Sequence, residues 1–223
     1  MAKPSTHQPV YSIFALMYIA ICGNIGSGKT TLAEKLGHHY GWNVLYESVE
    51  DNPYLADFYE DMEKWAFHLQ IHFLNSRFNQ IKTIQESGVS SIQDRTIYED
   101  AYIFANNLRS SNLLNERDYR TYRDLFNSMV EHIKAPDLLI YLKADIPRLV
   151  NQIQKRGRSY ETTMRIDYLK NLNDHYVEWI KDYDQGNLLV IDVNNLDFVE
   201  NPEDFALIVE RIDAEIHGLF SQQ

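Results

Sequence analysis

Apolar residues along this chain fall in short blocks with abrupt ends, separated by longer stretches that have helical spacing or helical length. Met17-Tyr18-Ile19-Ala20-Ile21-Cys22 runs unbroken to Gly23, as expected of a strand buried on both faces. Blocks at 43–46, 88–92, 137–142 and 188–191 share that character, with helical segments at 55–86, 97–134 and 165–184 between them. Parallel neighbours need a crossover connection, so the alternation predicts a three-layer α/β fold, a parallel sheet of about five strands with helices on both faces. The chain shows no internal repeat and no Gly/Ser linker. One domain over 17–223 follows, with 1–16 as an N-terminal extension that has neither a long apolar region nor a small-residue cleavage site. A surplus of apolar helix face between the second and fourth strands offers a dimer seam.

The first block ends in Gly23-Asn24-Ile25-Gly26-Ser27-Gly28-Lys29-Thr30, which matches G-x-x-x-x-G-K-[ST] and runs into a helical segment at 31–40. Strand, glycine-rich turn and helix in that order are what this motif requires. Its glycines let backbone N–H groups converge on phosphate oxygens, Lys29 brings a point charge to the β and γ phosphates, and the Thr30 hydroxyl can ligate Mg²⁺. The guanine-reading N-K-x-D sequence is absent.

Carboxylates and a cation stand at the other strand ends: Glu47 after the second, Asp94-Arg95 after the third. In a parallel sheet these ends open on one edge, where ligands bind in such folds. Lys29, Glu47, Asp94 and Arg95 are therefore expected around one point. Lys155-Arg156-Gly157-Arg158, between a helix from Ile146 and another starting near Met164, reads as a lid at 155–163 that brings guanidinium charge over a phosphoryl group.

The composition limits the partners. Twenty-one Lys and Arg against thirty-two Asp and Glu give a net charge of −11, which disfavours a broad grip on nucleic acid or an anionic membrane. No apolar run is long enough to span a bilayer, and the lone Cys22 cannot form an internal disulfide. A cytoplasmic protein is the expectation. His68, His72 and His175 have no metal-motif spacing, and Met62, Trp65, Phe67 and Phe73 read as a core stripe.

The residues 23–30, Glu47, Asn52-Pro53-Tyr54-Leu55, Trp65-Ala66-Phe67-His68-Leu69-Gln70, Gln93-Asp94-Arg95-Thr96-Ile97-Tyr98-Glu99-Asp100 and Arg156-Gly157-Arg158 together resemble the deoxynucleoside kinase family, most closely its bacterial deoxyadenosine kinase branch. The resemblance implies transfer of the ATP γ-phosphoryl group to the 5′-hydroxyl of a 2′-deoxyribonucleoside in nucleotide salvage, with Mg²⁺, by a homodimer. It gives Glu47 the role of catalytic base. Arg95 orients that carboxylate, Asp94 joins Thr30 near the metal, and Arg156 and Arg158 are lid arginines. Tyr59 and Glu161 match the positions that hold the sugar 3′-hydroxyl. Gln70, Arg77 and Asp100 match base readers, with Phe104 placed for stacking. Gln70 and Arg77 are seven apart on one predicted helix, two turns and therefore one face. Two positions depart from relatives: Gln152 stands where some carry a further lid arginine, and Leu69 where some carry a stacking Phe.

Deoxyadenosine is the acceptor expected first, with deoxyguanosine or deoxycytidine as alternatives. A thymidylate-type kinase is a rival, but an acceptor already carrying phosphate wants a cation before Glu47, and Tyr46 stands there. A nucleotide-switched binding protein would share the phosphate loop without needing a proton acceptor at Glu47.

Overall fold

The computed structural model describes residues 16–47, 52–158, 161 and 164–220. The extension expected at 1–16 lies outside these residues except for Leu16, as do positions 159, 160, 162 and 163 of the expected lid. The five apolar blocks form β1 (Tyr18–Gly23), β2 (Asn43–Leu45), β3 (Ser91–Asp94), β4 (Leu138–Lys143) and β5 (Asn187–Asp192). All pair in parallel, in the order β2-β3-β1-β4-β5. The third strand begins later than its apolar pattern suggests. Gly88 is left-handed (φ 63) and ends the preceding helix, so the strand starts only at Ser91; it runs through Asp94, its last residue.

The helices in chain order are α1 (Lys29–Tyr40), α2 (Leu55–Glu60), α3 (Met62–Ser87), α4 (Ile97–Glu99), α5 (Asn106–Ser110), α6 (Glu116–Val130), α7 (Ile146–Arg156), α8 (Ile166–Lys181) and α9 (Pro202–Phe220). The segment 55–86 is broken at Asp61, whose extended backbone (φ −143, ψ 84) lets its side chain accept from the Lys64 N–H and cap α3. The segment 97–134 is broken as well. It starts as α4, widens into a π-helix over Asp100–Ala105, closes as α5 and restarts as α6 behind the Asn115 cap. α9 follows the fifth strand and has no counterpart in the pattern read above.

Alternation along the central strand assigns the layers. Ile19 and Ile21 point into a core shared with Leu32 and Leu36 of α1, Leu149 of α7 and Ile208, Ile212 and Ile216 of α9. Tyr18, Ala20 and Cys22 point the other way, against Leu74 and Ile81 of α3, Phe126 of α6 and Leu172 and Tyr176 of α8. Both faces of β1 are buried throughout, which explains its unbroken apolar run. A smaller cluster of Leu55, Phe58, Ala66, Leu69, Leu108 and Leu114 ties α2 to α3 beside the C-terminal edge of the sheet. Among the described residues, no helix is long and apolar enough to cross a membrane.

Candidate active site

The phosphate loop connects β1 to α1 and its glycines have positive φ: 85 at Gly26 and 94 at Gly28. A Cβ on Gly26 would lie 2.8 Å from the Leu149 carbonyl oxygen, and one on Gly28 would lie 2.8 Å from Phe198 Cζ. The loop therefore tolerates only glycine at both positions. Asn24 braces it, donating from Nδ2 to the Leu169 carbonyl at 3.0 Å and to Asn173 Oδ1 at 2.8 Å, both on α8. Lys29 Nζ donates across the loop to the Asn24 carbonyl at 3.1 Å. The first turn of α1 holds no acidic residue, so the helix N-terminus keeps its positive potential for an anion. Burial, reinforced by Arg95, lowers the Lys29 pKa to about 8.

Three strand ends meet in front of this loop, as their sequence positions require. Thr30 Oγ1 donates to Asp94 Oδ2 at 2.5 Å, while Asp94 Oδ1 is buried without a hydrogen-bond partner among the described residues. Glu47 sits between two arginines: Arg77 donates to its Oε1 at 2.8 Å, and Arg95 Nε lies 2.9 Å from the same oxygen. Burial would raise the Glu47 carboxyl, but Arg95, Arg77 and Lys29 outweigh it and hold it at about 2.

Gln70 and Arg77 share one face of α3, as their spacing predicts. The buried stripe of α3 is Gln70, Leu74, Arg77, Ile81 and Ile84, an apolar stripe interrupted by two polar residues. Gln70 Oε1 is buried and unpartnered among the described residues. Arg77 Nε is 3.4 Å from Asp100 Oδ2. Asp100 opens the π-helix, and burial lifts its carboxyl to about 7 despite Arg77 and Arg95. Arg77 is completely buried and bonds Glu47 as well as facing Asp100, so it bridges the two carboxylates.

One cleft is lined by Gly26, Lys29, Thr30, Glu47, Asp94 and Arg95 together with Tyr59, Gln70, Asp100, Phe104, Arg156 and Glu161. Arg158 and Ile25 also border it, whereas Arg77 stands behind Glu47 and Lys155 is exposed on the last turn of α7. Gly23, Asn24, Ser27 and Gly28 build the loop beneath. The Arg95 guanidinium lies 4.7 Å from the centre of the Phe104 ring, so that ring supports Arg95 on one side. Arg156 forks onto Glu161 with both Nε and NH2, and Arg158 NH1 is 3.9 Å from it.

Leu55, Phe58, Phe73 and Tyr168 line the cleft too and were not singled out for the site from sequence. From sequence Phe73 reads as core, because an aromatic at helical spacing does not say whether its neighbour is protein or ligand. Of the histidines, His68 lies in an aromatic group with Tyr54 and Trp65, and His175 lies 3.5 Å from Ser110 Oγ.

A glycine-rich anion loop at the carboxyl edge of a parallel sheet, faced by an arginine-bound carboxylate, defines the class: a phosphate-loop kinase fold. The deoxynucleoside kinase family model matches residues 19–217. The chain is 38% identical over 213 residues to deoxyadenosine/deoxycytidine kinase of Bacillus subtilis (strain 168), covering 95% of this chain and 96% of that one. It is 42% identical over 193 residues to deoxyadenosine kinase of Dictyostelium discoideum, covering 86% and 78%. The structure of deoxyadenosine kinase from M. mycoides with bound dATP superposes with a TM-score of 0.76 at 32% identity, covering 88% of this chain and 99% of that one. The chain belongs to the deoxynucleoside kinase family.

Proposed function

We propose that this protein transfers the γ-phosphoryl group of ATP to the 5′-hydroxyl of a 2′-deoxyribonucleoside, deoxyadenosine first, in deoxynucleotide salvage. The observation that carries the reading is the Glu47 carboxylate, held by Arg77 and Arg95 within the cleft that Lys29 and Thr30 also line. A neutral hydroxyl needs a carboxylate to receive its proton, and Glu47 is the strand-end carboxylate held by cations there.

At about 2, Glu47 is ionised but weakly basic. That suits a loose phosphoryl-transfer transition state, in which the acceptor keeps its proton until late and the carboxylate chiefly orients it. Lys29, the loop amides, Arg156 and Arg158 place cationic charge and N–H donors around the transferring group. For Arg156 to reach a phosphate it must leave Glu161, which then turns to the sugar 3′-hydroxyl together with Tyr59. Gln70 offers a donor and an acceptor to the N6/N7 edge of adenine, Asp100 accepts from an exocyclic amine, and Phe104 packs beside the base.

The Mg²⁺ that such a reaction uses fits Thr30 and the unpartnered Asp94 Oδ1, since this ion favours one or two protein oxygens alongside phosphates and water. Held by Thr30 and Asp94, it would supply charge neutralisation to the phosphates. A homodimer is part of this reading, although the apolar stripes of α3 and α6, with Leu74, Ile81, Tyr122 and Phe126, are taken up by the core of the chain itself.

The test is a panel of four deoxynucleosides and their monophosphates with Mg·ATP. The expected result is 5′-monophosphate product from nucleosides, deoxyadenosine leading and thymidine last. Phosphorylation of dTMP with none of any nucleoside would overturn the reading.

A further inference from the structure

Glu99 lies outside the cleft, on the short helix α4, and is completely buried. Its Oε1 accepts from the Gly23 N–H at 3.2 Å, from Arg95 NH1 at 3.1 Å and from the Tyr176 hydroxyl at 2.6 Å. Its Oε2 accepts from the Thr96 N–H at 2.7 Å, while Thr96 Oγ1 accepts in return from the Glu99 N–H. A buried carboxylate is costly unless paired and hydrogen-bonded, and this one is met by a guanidinium, two amides and a phenol. The groups it gathers come from the phosphate loop, the end of β3 and α8. The Tyr176 oxygen also accepts from Arg95 NH1 at 3.2 Å and lies 2.8 Å from the Gly23 carbonyl oxygen, so its single proton goes either to Glu99 or to that carbonyl.

We propose that Glu99, with Tyr176, is a positioning residue for phosphoryl transfer: it anchors Arg95 from behind, while the Gly23 and Thr96 amides hold Glu99 itself in place. The inference rests on the kinase function proposed above. Arg95 needs such an anchor for two reasons. Its backbone is left-handed (φ 76) although it is not glycine, a conformation that persists only where the surroundings enforce it. Its other carboxylate partner is Glu47, the group that must turn to the acceptor hydroxyl. If Glu47 alone fixed Arg95, arrival of the acceptor would release both. Glu99 holds NH1 from the buried side, leaving Nε and Glu47 to respond to substrate.

The arrangement predicts a kinetic pattern that a purely structural role does not. Glu99→Gln keeps the size and one acceptor oxygen but removes the charge. It is expected to lower kcat roughly 100-fold with KM for ATP and nucleoside within about 3-fold of wild type. Because Glu99 acts through Arg95, the double variant Glu99→Gln/Arg95→Ala should be no slower than Arg95→Ala alone, within about 2-fold. Tyr176→Phe removes one hydroxyl and is expected to lower kcat about 5-fold, again without effect in the Arg95→Ala background; it carries the test if Glu99→Gln does not reach the wild-type melting temperature. Multiplicative losses in the double variants, or a kcat that Glu99→Gln and Tyr176→Phe leave unchanged, would overturn the inference while wild-type activity stands. A wild-type protein that phosphorylates no nucleoside would overturn the function and the inference together.

Discussion

Glu47 owes its proton affinity to Arg95, Arg77 and Lys29, which together outweigh the effect of burial. It stays ionised across the neutral range, so an acid limb of activity above about pH 4 belongs to another group. Asp100 is such a group. Burial raises it to about 7, against Arg77 and Arg95 and with Glu47 and Glu99, so its charged form, the one proposed above to accept from an exocyclic amine, fills as pH rises through 7. Deoxyadenosine affinity by calorimetry should strengthen up to about 10-fold from pH 6 to 8, and Asp100→Asn should flatten that dependence; a wild-type affinity that falls over this range would contradict it. For stability the sign at Glu47 is the ordinary carboxylate one. Its depressed pKa contributes stability above pH 4.5 that is lost as pH falls toward 2. Glu47 and Asp94-Arg95 were legible in the sequence because strand ends of a parallel sheet share an edge. The Arg77–Glu47 contact was not, because it depends on how far a side chain of α3 reaches toward the end of β2. Glu99 had a local signal in Thr96-x-x-Glu99, a capping box, but that pattern does not announce that the same carboxylate meets Arg95 and Gly23.

At the scale of elements, α3 carries Gln70 and Arg77 to the cleft, and its start is fixed by Asp61. Asp61→Ala should destabilise the protein by about 0.5–2 kcal/mol in urea unfolding, with nucleoside KM rising more than ATP KM because Phe58 and Tyr59 of α2 and Gln70 and Phe73 of α3 line the part of the cleft assigned above to the nucleoside. Equal changes in both KM values would argue against that division of the cleft. The loop between β1 and α1 is equally specific: Gly26→Ala must adopt φ 85 and meet the Leu149 carbonyl oxygen at 2.8 Å, so ATP binding should be lost by calorimetry. Periodicity revealed the strands because burial on both faces leaves contiguous apolar runs. It did not reveal the break at Asp61 or the π-helix at Asp100–Ala105, since both keep helical composition while changing only backbone angles. α9 has the plain amphipathic signature of a helix and covers the Ile19/Ile21 face of the sheet.

Across the whole molecule, a net charge of −11 coexists with a cleft bordered by Lys29, Arg95, Arg156 and Arg158. Acidity of the chain therefore argues against polyanion binding without weakening the case for a small triphosphate. A ligand that binds only the folded state should stabilise it by about 2.7 kcal/mol at 100-fold its Kd, and Mg·ATP is expected to raise the melting temperature accordingly; no shift at saturating ATP would contradict a triphosphate site. The three-layer order was readable from the strand and helix alternation, whereas the strand order was not, because it is fixed by side-chain packing between layers. The central claim is that Glu47 receives a nucleoside hydroxyl at the phosphate loop. Its most direct test is the rate of 5′-dAMP formation from deoxyadenosine and Mg·ATP by wild type and Glu47→Gln, with ATP affinity measured on both. Expected are a rapid wild-type reaction, a loss of roughly 10²–10⁴-fold in the variant and ATP affinity within about 3-fold. A variant that works at near-normal rate would contradict it.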